Sequence, residues 1–201
     1  MLKNKKLIIK IIVVLLVIIL LLVTYTIIKN KIDNYIEEKI KLGEEIYNKM
    51  HNLYYYGEGI DYEIDDENQM IYIEEEKIKY YKIKNYNELF KKSITDKKLK
   101  ETEKFLNIKE VENNYYIKEI GRGLSGYYGT KLKLKKVTKN KIEYKAISTL
   151  CQKDSIVTYG EGCTSDGYYE VEKPFTLVKE DGLWKVSEYT SVFQFSDREL
   201  K

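Results

Sequence analysis

The chain is short of the residues that most reactive sites use. Its 201 residues include one histidine, His51, one proline, one tryptophan and two cysteines, Cys151 and Cys163. A lone His with no identifiable acid or nucleophile beside it supports neither a Ser-His nor a Cys-His arrangement, and two thiols without a neighbouring His fall short of a tetrahedral metal shell. The chain therefore reads as a binding protein rather than an enzyme, with no cofactor, no metal and no catalytic residue expected. His51 falls in the last turn of a predicted helix, where the helix dipole favours a cation, and is expected as a surface or capping residue. A strong charge of one sign is also lacking: the formal net charge is +3. Setting aside Lys3, Lys5, Lys6 and Lys10 leaves 31 basic residues (35 less four) against 32 acidic ones. Nucleic acid as a partner needs a concentrated basic surface, and this balance argues against it.

What the chain does have is a long apolar run. Residues 7–28 carry Lys10 as their only charge, and Lys29 and Lys31 follow. At about 1.5 Å per residue this run makes roughly 33 Å of helix, enough to cross a hydrocarbon core of about 30 Å. The positive-inside rule places the lysine-rich N-terminus in the cytoplasm and the remainder outside, a single-pass cell-membrane topology. The alternative is a cleaved signal peptide, but Val23-Thr24-Tyr25-Thr26-Ile27-Ile28 offers no small-residue cleavage site. The expected organisation is a cytoplasmic tip and anchor over 1–28, a stalk and first domain helix over 29–53, and an extracytoplasmic domain over 54–201.

On the outside of a membrane an even cysteine pair at short spacing favours a Cys151–Cys163 disulfide, with free thiols and a metal site as rival readings. Twenty tyrosines are abundant beside a single Ala, the imprint of an AT-rich bacterial genome. Tyr-rich surfaces favour binding, but strand propensity also accounts for tyrosine.

The apolar period is helical through Ile32, Tyr35, Ile36, Ile40, Ile46, Tyr47, Met50 and Leu53, interrupted only by Gly43. It then becomes two. Tyr62 and Ile64, then Met70 and Tyr72, flank Asp65-Asp66-Glu67-Asn68 as a hairpin would, and a third strand covers 77–84. The acidic turn lacks calcium-loop spacing. Asn85 and Glu88 resemble a capping box, and a second short helix follows Thr95 or Asp96. Strands are expected over 111–120, 130–137, 141–150, 168–179 and 183–195, with turns at Lys139-Asn140 and Glu180-Asp181-Gly182. Helix first and antiparallel sheet afterwards gives an α+β domain, a curved sheet packed on helices.

The richest loop is Gly121-Arg122-Gly123-Leu124-Ser125-Gly126-Tyr127-Tyr128-Gly129. Its G-x-G-x-x-G does not open a helix, and Ser125 is not in a G-x-S-x-G elbow, so neither a nucleotide nor a hydrolase site follows. Flexible backbone with guanidinium and aromatic groups makes it either a plain connection or a partner-binding loop with Arg122, Ser125, Tyr127 and Tyr128 as contacts. A third role for acids such as Glu143 or Glu170, facing into a pocket, depends on which side of a strand they take.

Residues 175–189 contain two alternating strands around Glu180-Asp181-Gly182, followed by Leu183-Trp184-Lys185-Val186, with Trp184 and Val186 expected on the buried face. This resembles the closing hairpin of cystatin-like and NTF2-like domains. Together with Tyr81-Lys82-Ile83-Lys84-Asn85-Tyr86-Asn87-Glu88-Leu89 and the stretch from Tyr115-Tyr116 to Tyr128, the chain resembles the DL-endopeptidase inhibitor (IseA-like) family. The resemblance implies a cystatin-like domain that blocks NlpC/P60-type cell-wall hydrolases and so restrains autolysis. An accessory domain of an envelope, secretion or sporulation complex is the other reading. The anchor and the cysteine pair depart from the simple secreted form of that family.

Overall fold

The computed structural model describes residues 2–63, 70–73, 78–118, 126–151, 156–158, 162–163 and 167–194. Two compact units divide the chain, Met1–Lys41 and Leu42–Lys201. The helix α1, Leu2–Tyr56, contributes to both.

The first unit is helix alone. An 18-residue window within it has a mean hydropathy of 2.0 with none of it buried, long and apolar enough to cross a membrane. Leu16, Leu20, Leu21 and Leu22 are each at least 60% exposed, which water would not tolerate in a row and lipid would. Thr24 and Thr26 donate their hydroxyls to the carbonyls of Leu20 and Leu22, at 2.6 and 2.9 Å, so these two polar groups are satisfied within the helix.

In the second unit the remaining turns of α1 bury one face: Gly43, Tyr47, Met50, Leu53 and Tyr54 recur at three- and four-residue spacing and pack into the core. Gly57 ends the helix with φ 65°, its N–H bonded to the Leu53 carbonyl at 3.0 Å. The fold is α+β with antiparallel sheets, but the strands are divided between separate sheets rather than forming one. The first contains β1 (Tyr62–Glu63), β2 (Met70–Ile73), β3 (Ile78–Ile83), β4 (Lys109–Val111) and β5 (Asn114–Ile117), ordered β1-β3-β5-β4 with β2 also on β3. The second contains β6 (Tyr127–Val137), β7 (Lys141–Cys151), β10 (Tyr168–Glu180) and β11 (Leu183–Glu188), ordered β11-β10-β7-β6. A two-stranded ribbon, β8 (Ile156–Thr158) with β9 (Gly162–Cys163), is inserted between β7 and β10.

Between the sheets in sequence lies a π-helical turn, Asn87–Lys91, and α2, Asp96–Leu106. An isolated parallel bridge joins Ile94 to Val186, and Thr95 N–H and Val186 N–H each find a carbonyl across it, at 3.0 and 2.8 Å. This bridge pins the start of α2 to β11, which otherwise ends the four-stranded sheet. The core is closed by aromatic contacts: Tyr47 meets Phe175 and Tyr189 edge-on, both at 5.2 Å, and Tyr54 stacks on Phe105 at 5.1 Å. The buried Tyr54 hydroxyl bonds Thr102 Oγ1 at 2.7 Å, and burial pushes its pKa up to about 12.

Several sequence expectations change here. The strand expected over 111–120 is the hairpin β4–β5, because Glu112 and Asn113 both take left-handed φ, 49° and 62°, and reverse the chain in two residues. Tyr62 and Met70 do not form a hairpin with each other: β1 and β2 both pair with β3, and the acidic residues 65–68 lie outside the described residues. Asn85 does not cap Glu88. Its Oδ1 accepts from Asp61 N–H at 3.0 Å and its amide donates to the Gly59 carbonyl, fastening the entry to β1. The last strand stops at Glu188, and Tyr189 turns inward to 2% exposure. Trp184 shares the inner side with buried Val186 but is only half-buried at the rim, where Lys179 Nζ lies 5.9 Å from its ring.

Candidate functional site

The best-defined feature with exposed aromatic surface is the end of the four-stranded sheet where β6 begins. Gly126 precedes it with φ +100°, and its carbonyl accepts the Cys151 N–H at 2.7 Å. A Cβ at Gly126 would lie 3.3 Å from the Cys151 carbonyl oxygen, so both the backbone angle and the space select glycine. The next three residues form a bulge: Tyr127 pairs with Leu150 and Gly129 with Thr149, leaving Tyr128 without a ladder partner. That extra residue sends the two adjacent tyrosines to opposite sides.

Tyr127 goes inward. Its ring stacks on His51 at 4.4 Å and its hydroxyl bonds Thr130 Oγ1 at 2.9 Å, while Thr130 also meets Ser148 Oγ at 2.8 Å and donates to the Tyr47 hydroxyl at 3.4 Å. Burial first, then the Tyr47 and Tyr55 hydroxyls, push the Tyr127 pKa up to about 12 against the opposing Thr130 bond. Below it Tyr55, Leu150, Val171 and Val192 make a small apolar cluster separate from the main core. Tyr127 is therefore held by packing, a structural duty that the loop reading does not anticipate.

His51 is a correction to its expected surface position. It is 8% exposed, its ring lies between Tyr127 and Tyr55, and its Nδ1 is buried without a hydrogen-bond partner. Burial lowers its pKa, so the neutral imidazole is favoured where the helix-dipole argument expects a cation. Its ring contacts are tyrosines, which gives it no acid to orient it as a base.

Tyr128 goes outward, 45% exposed, and meets the 43% exposed Tyr168 edge-on at 4.9 Å. Tyr168 is the register partner of Cys151, and Cys151 is bonded to Cys163 with Cα atoms 5.9 Å apart. The aromatic pair thus stands on a sheet end that is tied covalently to the inserted ribbon. Tyr168 went unnoticed in the sequence because its neighbour Tyr128 is forty residues away and only strand pairing brings them together. Arg122 and Ser125 lie outside the described residues.

Farther along the same sheet the outer side is a field of paired charges. Lys145 Nζ contacts Glu172 at 2.6 Å and Lys141 Nζ contacts Glu143 at 2.6 Å. The hydrogen bonds from these lysines, with Lys133, Lys135 and Lys136 nearby, hold both carboxyls below their usual range. Glu143 lies between buried Ile142 and Tyr144, and exposed Glu170 precedes buried Val171, so both acids face away from the core and neither lines an internal pocket. Among the described residues, no group of three His, Cys, Asp or Glu could hold a metal ion. No protein-family model matches the chain, and no curated protein matches it either.

Proposed function

We propose that this chain is a membrane-anchored, non-enzymatic binding module, held by α1 with its N-terminus in the cytoplasm and its α+β unit outside, and that it docks a protein partner through residues 121–129 together with Tyr168. The observation that carries the reading is the exposed Tyr128–Tyr168 pair on a disulfide-tied sheet end. Two rings give large contact area at small entropy cost, and the rigid base beneath them lowers the ordering cost of binding. Arg122 adds a planar donor of the type enriched in interface hot spots. By the resemblance of its closing hairpin and upstream segments to the IseA-like family, the partner is an NlpC/P60-type cell-wall hydrolase, whose activity the docked module would restrain.

The test is inhibition of a purified hydrolase of that type by the full chain in detergent. The double change Arg122→Ala with Tyr128→Ala should weaken inhibition about thirtyfold, the equivalent of roughly 2 kcal/mol, while leaving the melting temperature nearly unchanged. Wild type that inhibits no such enzyme removes the hydrolase as partner; a double mutant that inhibits as well as wild type removes the site.

A further inference from the structure

The helix does not become polar all round where the apolar run ends. Beyond Ile28, Ile32 is 52% exposed, Tyr35 48% and Ile36 39%, and before it Tyr25 is 64% and Ile28 52% exposed. Positions 25, 28, 32 and 35 are spaced three, four and three residues apart, the a and d positions of a heptad. The positions that would face away from such a seam, Asn30, Asp33, Asn34 and Glu37, are all polar. The next a position is Lys39, whose Nζ lies 5.1 Å from the Tyr35 ring centroid and 3.1 Å from Glu38, so the apolar seam stops there.

Lipid does not account for the whole stripe. The interfacial layer extends only about 5–7 Å beyond each side of the hydrocarbon core. At about 1.5 Å per residue, Tyr35 and Ile36 stand roughly 10–12 Å past Ile28 along the helix, in water. We propose that residues 25–39 of α1 are the interface of a parallel homodimer, in which Tyr25, Ile28, Ile32 and Tyr35 face the same residues of a second copy. The occupant is a second copy because insertion in one bilayer gives both helices the same direction and depth. Their stripes are then brought into register at a high effective concentration, which compensates for a seam too short to pair in solution. The flanking positions agree with this. In a parallel pair Thr24 comes opposite Lys29 and Lys31 opposite Ile36, so no like charges confront each other beside the seam.

This inference rests on the membrane-anchored reading, and cysteine cross-linking of the full chain in its own membranes tests the two separately. Single cysteines are placed in turn at positions 30 to 38, with the native disulfide left intact, and oxidised. Dimer yield should peak at Ile32→Cys and Tyr35→Cys, at least fivefold above Asn30→Cys, Asp33→Cys and Glu37→Cys. A second arm, Ile32→Asp with Tyr35→Glu, should lower the dimer fraction counted by single-molecule photobleaching at least tenfold while the protein stays in the membrane fraction. Membrane-bound protein that cross-links nowhere, cross-links evenly at every position, or links only to a chain of different size overturns the homodimer and leaves the anchor standing. Protein recovered in the soluble fraction overturns the anchor and the pairing with it.

Discussion

Gly43 of α1 faces the ring of Tyr144 on β7 so closely that a Cβ placed on the glycine would lie 2.5 to 2.8 Å from three atoms of that ring. The helix can sit this near the sheet only because one residue on its buried face has no side chain. In an exposed helix, Gly→Ala adds stability of about 0.5–1 kcal/mol. Here overpacking of about 1–3 kcal/mol opposes that gain and wins, because the obstructing atoms belong to a fully buried ring. Gly43→Ala should thus lower unfolding stability by about 1–2 kcal/mol, and Gly43→Val by more, in urea denaturation. Pairing Gly43→Ala with Tyr144→Leu should show coupling, since the second change removes the obstruction.

The disulfide closes a loop over a sequence separation of 12. Loop-closure entropy assigns such a link about 3 kcal/mol, so Cys151→Ser should lower stability by about 2–4 kcal/mol. Denaturation of wild type with and without reductant should show the same difference, and reductant should have no effect on the variant.

His51 makes stability depend on pH in a window where carboxylates are silent. Its pKa is lowered in the folded state, so between that value and the unfolded value of about 6.5 the unfolded chain binds more protons. The contribution is fully present above about pH 6.5 and is lost as pH falls toward the folded pKa. Melting temperature should decline from pH 7 to pH 5 in wild type and be flatter in His51→Phe, a ring that keeps the stacking on Tyr127. Equal slopes in the two proteins would show that His51 is not the group responsible.

Trp184 at the core rim should respond mildly. Half-burial predicts a loss of about 1–2 kcal/mol for Trp184→Ala, below the range for a fully buried aromatic. Its emission should lie between those of buried and solvent-exposed indole, and iodide should quench it in part.

The tyrosines divide by alkaline titration. Burial pushes Tyr54, Tyr127 and Tyr144 up to about 12, each with desolvation as its largest cause. Absorbance of phenolate at 295 nm should therefore rise in two phases, a reversible one from exposed rings near pH 10 and a later one that coincides with unfolding. A Tyr127→Phe variant should lose amplitude from the second phase only.

The sequence by itself determined whatever depends on residues near one another along the chain. The apolar run and its flanking lysines define a helix able to span a bilayer; period-two alternation locates β6, β7, β10 and β11 to within a few residues; Asp181 and Gly182, with φ 54° and 81°, make the turn their types favour. The cysteine pair was legible from its spacing and is bonded. The tertiary structure alone decided what depends on pairing across the fold. It put His51 beneath Tyr127, divided the strands between sheets, aimed Tyr128 out and Tyr127 in through a one-residue bulge, and placed Tyr168 beside Tyr128. A bulge shifts the inside-outside alternation by one residue, and burial of an imidazole is set by what packs over it; neither is written in local periodicity.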